Sequence, residues 1–106
     1  MAKYLITASY TADGAKGLLK DGGTKRRQAA ETAIKSVGGT LESFYFAFGD
    51  ADAYVLVDMP DHASAAAASV AINASGAVTT RTIVLLTPEE IDKAVKKQTA
   101  YRAPGQ

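Results

Sequence analysis

The side chains able to do chemistry fall in a few places along this 106-residue chain. Lys25-Arg26-Arg27 sets three cations in what reads as the first turn of a helix, where each opposes the macrodipole by about 0.3–1 kcal/mol at low salt. Free N–H groups at the same helix end, with guanidinium groups as clamps, suit a carboxylate or phosphate ligand. The plainer reading is a solvated turn pairing with Asp21 and Glu31. Asp52 directly follows a turn. It is either a general base or substrate acceptor at a cavity mouth, or an aspartate that caps the turn through its own backbone, and the turn role is favoured. Tyr10, Tyr45, Tyr54 and Arg81 together suit an aromatic or acidic small molecule in an enclosed cavity; packed rings with hydroxyls at the rim are the simpler alternative. Tyr45 and Tyr54 need not share a face. His62, just after a helix cap, reads as an exposed surface residue.

Composition removes several classes of chemistry. The chain has no cysteine and one histidine, so disulfides, thiolate catalysis and a protein-built zinc or haem site are not expected, and no metal or cofactor is assigned. Twelve Lys+Arg against eleven Asp+Glu leave no field that would attract nucleic acid or an anionic membrane. The glycines at 14, 17, 22 and 23 form neither a dinucleotide fingerprint nor a P-loop, and one histidine without a nucleophile elbow gives no Ser-His-Asp triad. No apolar run is long enough to cross a bilayer, and the segment from Met1 to Tyr10 reads as a strand rather than a signal peptide. The cytoplasm is the expected compartment.

The elements that must position these residues are organised around the stretch from Thr40 to Pro60, two aromatic-rich strands flanking Phe48-Gly49-Asp50-Ala51-Asp52. A first strand runs from Lys3 to Tyr10, with Tyr4, Ile6, Ala8 and Tyr10 on one face and Leu5, Thr7 and Ser9 on the other. Thr11 to Gly23, with four glycines, reads as mostly loop. A helix from Thr24 to Val37 follows, capped by Thr24, with Ala30, Ala33, Ile34 and Val37 as its buried stripe and Gly38-Gly39 at its end. Strand two, Thr40 to Phe48, puts Glu42, Phe44, Phe46 and Phe48 on one face and Leu41, Ser43, Tyr45 and Ala47 on the other. Strand three runs from Asp52 to Met59. Asp61 caps a helix from His62 to Ser75 whose stripe reads as Ala63, Ala66, Ala67, Val70, Ala71 and Ala74. Gly76 closes it, and a β-branched strand spans Ala77 to Leu86. Thr87, Pro88 and Glu90 form a capping box on a last helix with a narrow stripe of Ile91, Ala94 and Val95. Residues 99–106 form a tail.

This order is β-α-β-β-α-β plus a terminal helix, an α+β ferredoxin-like fold with a four-stranded antiparallel sheet in one domain, residues 1–98. Two helices cover one face of such a sheet. The strands lack a clean polar face, so the other side needs a cover too, and a second copy packed sheet to sheet would make a dimeric α/β barrel.

At the central hairpin the chain resembles the GYD-domain family. The resemblance rests on the opening strand Tyr4-Leu5-Ile6-Thr7-Ala8-Ser9-Tyr10-Thr11, the basic helix start, Gly38-Gly39, Phe44-Tyr45-Phe46 and the run from Gly49 to Asp61, together about residues 3–87. It implies a ferredoxin-like, dimeric α/β-barrel fold and no settled activity. The Gly-x-Tyr-Asp signature reads Gly49-Asp50-Ala51-Asp52 here. Gly49 and Asp52 carry over; the tyrosine does not, unless Tyr54 substitutes.

The resulting expectation is a homo-oligomer that binds a small organic, possibly anionic, molecule between sheet and partner, with Tyr10, Lys25, Arg26, Arg27, Tyr54 and Arg81 as ligand contacts. A cofactor-independent oxygenase or isomerase using Asp52 with a tyrosine is the alternative, and a purely structural assembly module a third. An enclosed polar cavity would separate the first two from the third, and a strongly perturbed carboxylate inside it would separate enzyme from binder.

Overall fold

A computed structural model covering residues 1–106 gives the order β1 (Ala2–Tyr10), α1 (Ala12–Ser36), β2 (Thr40–Phe46), β3 (Ala53–Met59), α2 (His62–Ala74), β4 (Val78–Leu85) and α3 (Pro88–Val95). The strands form one antiparallel sheet in the order β2-β3-β1-β4, which is the predicted ferredoxin-like arrangement. α1 lies over the β2 side and α2 over the β4 side. Between helices and sheet the core is Tyr4, Ile6, Ile34, Val55, Val57, Met59, Ala65 and Ala68, with a smaller group of Ala8, Ala53 and Val78 at one end. No helix is long and apolar enough to cross a membrane.

Three local expectations need correction. The first concerns residues 11–23, which are helical rather than loop. Thr11, not Thr24, is the cap: its hydroxyl accepts the Gly14 N–H at 3.2 Å, and Asp13 sits in the first turn, where the dipole favours it. Gly14 is buried because α1 must pass close to the segment before β4. A Cβ there would stand 1.9 Å from the Ala77 carbonyl oxygen. Its role is close approach, not turn formation. Only Gly22 breaks the helix, with φ 79° and ψ 176°, so Lys25-Arg26-Arg27 does fall in the first turn after an interruption.

The second correction concerns β2. A bulge between Leu41 and Ser43 changes its phase: Leu41 pairs with Val57, whereas Ser43, Phe44, Tyr45 and Phe46 pair with Leu56, Val55, Tyr54 and Ala53. Leu41 therefore joins Phe44 on the helix side of the sheet, and Glu42 does not share their face. The Glu42 carboxylate meets the Lys3 ammonium, which also pairs with Asp58 at 3.1 Å.

The third concerns α2, whose cap is Asp61 as predicted, accepting from the Ser64 N–H at 2.7 Å. Its buried face is Ala65 and Ala68, with Ile72 half-buried; Ala63, Ala66, Ala67, Val70, Ala71 and Ala74 are all exposed. The stripe was misphased because Ser69 and Asn73 do not avoid the sheet. Asn73 Nδ2 donates to Thr80 Oγ1 at 2.8 Å and its Oδ1 accepts the Thr80 N–H at 3.0 Å, so polar groups bridge α2 to β4.

α3 has the complete capping box and Pro88 at its start. None of its residues is buried, and the molecule measures 56 × 33 × 22 Å.

His62 has a structural role that its sequence position does not suggest. Tyr4 is buried at 2 % exposure, its hydroxyl is hydrogen-bonded to His62 Nδ1, and the rings meet edge to face at 5.8 Å. Replacing His62 by Ala should leave that hydroxyl without a partner and destabilise the chain by about 1–3 kcal/mol. Adding Tyr4→Phe should recover part of the loss. Urea unfolding of the single and double variants measures this, and an unchanged midpoint in His62→Ala would show that solvent satisfies the hydroxyl.

Candidate functional site

Strand alternation divides the predicted ligand contacts between two faces. Tyr10 points to the helix side with Tyr4, Ile6 and Ala8, whereas Thr7 and Ser9 point to the open side. On the open side the register aligns Tyr45 with Tyr54, Tyr54 with Thr7, and Thr7 with Arg81. Beside that row runs a second one, Ser43, Leu56, Leu5 and Ile83. Tyr45 and Tyr54 thus do share a face, because they are direct cross-strand partners in the hairpin. Tyr10 does not join Tyr45, Tyr54 and Arg81 in one cavity, because it lies six positions after Tyr4, an even offset that keeps it on the core face of β1.

The open face holds a basin of about 710 Å³ lined by Thr7, Ser9, Asp50, Ala51, Tyr54, Thr79, Arg81 and Ile83, among others. Lys3 makes the only ion pairs of the chain, so Arg81 has no carboxylate within 4.0 Å, Asp50 on the same basin included. A guanidinium with its fork free, flanked by threonine, serine and tyrosine hydroxyls, is suited to a planar oxyanion.

On the helix side Tyr10 is shared by three adjoining hollows. One is a narrow apolar slot of about 40 Å³ under the helices that reaches Arg26 and Ile34. Another, of about 130 Å³, joins Arg26 to Asp13 and Asp21. The largest, about 410 Å³, runs from Leu18, Gly22 and Gly23 to Phe46, Phe48 and Asp52. Tyr10, Arg26 and Asp52 are therefore neighbours, while Lys25 and Arg27 are exposed on α1 and line neither this region nor the basin.

Asp52 fastens the hairpin to β1. Its Oδ2 accepts the Tyr10 N–H at 2.9 Å, its N–H donates to the Ala8 carbonyl at 2.8 Å, and its own carbonyl accepts the Ala47 N–H at 2.9 Å. The carboxylate bonds neither to the backbone of its own turn nor to the Tyr10 hydroxyl but to the Tyr10 backbone on β1, so it anchors the end of the hairpin to the sheet. Sequence reasoning passed over Phe46, Phe48 and Asp50 as site residues. Phe48 and Asp50 flank a glycine in the turn beyond the strand ends, whereas Phe46 is the last residue of β2 and pairs with Ala53. Thr7 and Ser9 could be assigned only once the strand order was known.

The GYD domain matches the chain over residues 4–95. No curated protein and no solved structure matches it.

The Tyr10 phenol titrates above the ordinary tyrosine value. Burial is the main cause and the Asp52 charge adds to it, while the charge and hydrogen bond of Arg26 oppose it. A raised folded value favours the neutral phenol, so its contribution to stability is complete below the ordinary tyrosine range and is lost as pH rises through the folded value. Ultraviolet titration of tyrosinate should show Arg26→Met moving Tyr10 further up and Asp52→Asn moving it down. A downward move in Arg26→Met would contradict the arrangement.

Proposed function

The chain belongs to the GYD-domain family, and from that premise we infer that two copies pair through their open sheet faces and hold a small organic anion between them. The observation that carries this reading is Arg81, an unpaired guanidinium on a 710 Å³ basin. Pockets for small molecules are of this size and combine apolar walls with a few convergent polar groups. In a face-to-face pair, the apolar row of Leu56, Leu5 and Ile83 would supply the contact and the row of Tyr54, Thr7 and Arg81 the polar wall.

The surface area supports a second copy as the cover. The chain exposes 7429 Å², whereas a compact monomer of 11.0 kDa exposes about 5,600 Å². The surplus of roughly 1,800 Å² is shared by the open sheet face, α3 and the tail, residues 86–106 being exposed throughout, and it exceeds the ~800 Å² that each partner contributes to a standard interface. Its radius of gyration, 16.9 Å, is likewise larger than the ~13 Å of a compact chain of this length. With α1 and α2 on the far side, the open face, with Leu56, Leu5 and Ile83 in one row, is left uncovered.

Native mass spectrometry and sedimentation of the full chain should give a dimer. Ile83→Asp should give monomers, because it puts a charge into the apolar row beside Leu5. Arg81→Gln should keep the dimer and weaken binding of an anionic aromatic probe, anilinonaphthalenesulfonate, by about tenfold or more, as expected for a lost charged hydrogen bond. A monomer at micromolar concentration overturns the pairing; equal probe binding with and without Arg81 overturns the anion site.

A further inference from the structure

The largest helix-side hollow has the opposite chemistry to the basin. Three aromatic side chains, Tyr10, Phe46 and Phe48, line it together with Leu18, and Asp52 is its only carboxylate, with no cation in the lining. Phe46 is held from behind, meeting Phe44 at 5.1 Å between ring centroids. On the α1 side Gly23 lies against the Phe46 ring, where a Cβ would come to 3.0 Å from it, so the helix backbone forms that wall of the hollow. Phe48 is fully exposed, and nothing in the chain covers it. Asp52 commits Oδ2 to the Tyr10 N–H, and its Oδ1 accepts no hydrogen bond from the protein.

Ring faces carry negative potential, and a carboxylate among them adds a full charge; together they attract a cation and repel an anion. Arg26, beside the Tyr10 hydroxyl, lines the two adjoining hollows and not this one. We propose that the hollow formed by Tyr10, Phe46, Phe48 and Asp52 binds an organic ammonium with an apolar body, its nitrogen at Asp52 Oδ1 and its body against the three rings. A volume of about 410 Å³ accommodates one substituted ring. The site lies on the other side of the sheet from Arg81 and does not depend on the anion reading or on a dimer.

The probe is phenethylammonium, titrated calorimetrically into the full chain beside its neutral and anionic counterparts, 2-phenylethanol and phenylacetate. The ammonium should bind about tenfold or more tightly than either, and Asp52→Asn, which keeps an oxygen for the Tyr10 N–H, should remove that advantage. Phe48→Ala, at a fully exposed position that cannot disturb folding, should weaken ammonium binding by about three- to tenfold. Absence of ammonium binding, tighter binding of phenylacetate, or an unchanged affinity in Asp52→Asn overturns the proposal. So does a Phe48→Ala variant that shifts only the monomer–dimer equilibrium, because Phe48 would then be a contact between copies.

Discussion

One extra residue in β2 decides what each face of the sheet displays. Continuous alternation would put Glu42 on the same side as Phe44 and Phe46, inside the layer between helices and sheet. An unpaired carboxylate there would be several kcal/mol unfavourable. The bulge between Leu41 and Ser43 takes up Glu42 as the unpaired residue and lets it reach Lys3, so Leu41 enters the core in its place. On the hairpin side of the bulge Tyr45 stands opposite Tyr54, at the head of the polar row that ends at Arg81. The bulge thus lets Leu41 fill the core without placing a carboxylate there, an adjustment of the kind bulges commonly make.

Much of the fold was legible because three of its strands and two of its helix starts are locally unambiguous. The alternation of Tyr4, Ile6 and Ala8, and of Ala53, Val55, Val57 and Met59, survives intact in the structure. Asp61 and Thr87 cap where their types require. The failures share one cause, which is that small and polar residues report on distant neighbours. Gly14 reads as a loop residue until Ala77 is found against it. Ser69 and Asn73 read as an outward face until Thr80 is found opposite them. Neither partner is visible from the helix alone.

The α2 result has a further consequence for the surface. Its alanines outnumber the positions that one sheet contact can bury, so a wholly apolar stripe is left outside. A helix apolar all round is ordinarily enclosed, and α3, with Ile91 and Val95 exposed, is likewise without a covering layer. Added to the open sheet face, these surfaces explain why only 14 of 106 residues are buried in a chain that is 47% hydrophobic. The apolar content is sized for more contacts than one copy of the chain supplies.

The site residues were recognisable by type but not by grouping, and the turn between β2 and β3 shows why. In a strand, Asp50 and Asp52 would share a face, two residues apart. Here residues 47–52 are outside both strands, so period two does not apply, and the two acids serve opposite sides: Asp50 lines the open basin and Asp52 the aromatic hollow. Asp52 also binds β1 through its N–H and its Oδ2, which fixes the turn against the sheet end. The segment that carries the family signature therefore contributes to both cavities while being held by backbone contacts to one strand. A substitution within it acts on the two sites unequally: at Asp50 it alters the charge of the basin alone, whereas at Asp52 it alters the hollow and loosens the anchor on Tyr10 unless an acceptor oxygen is kept.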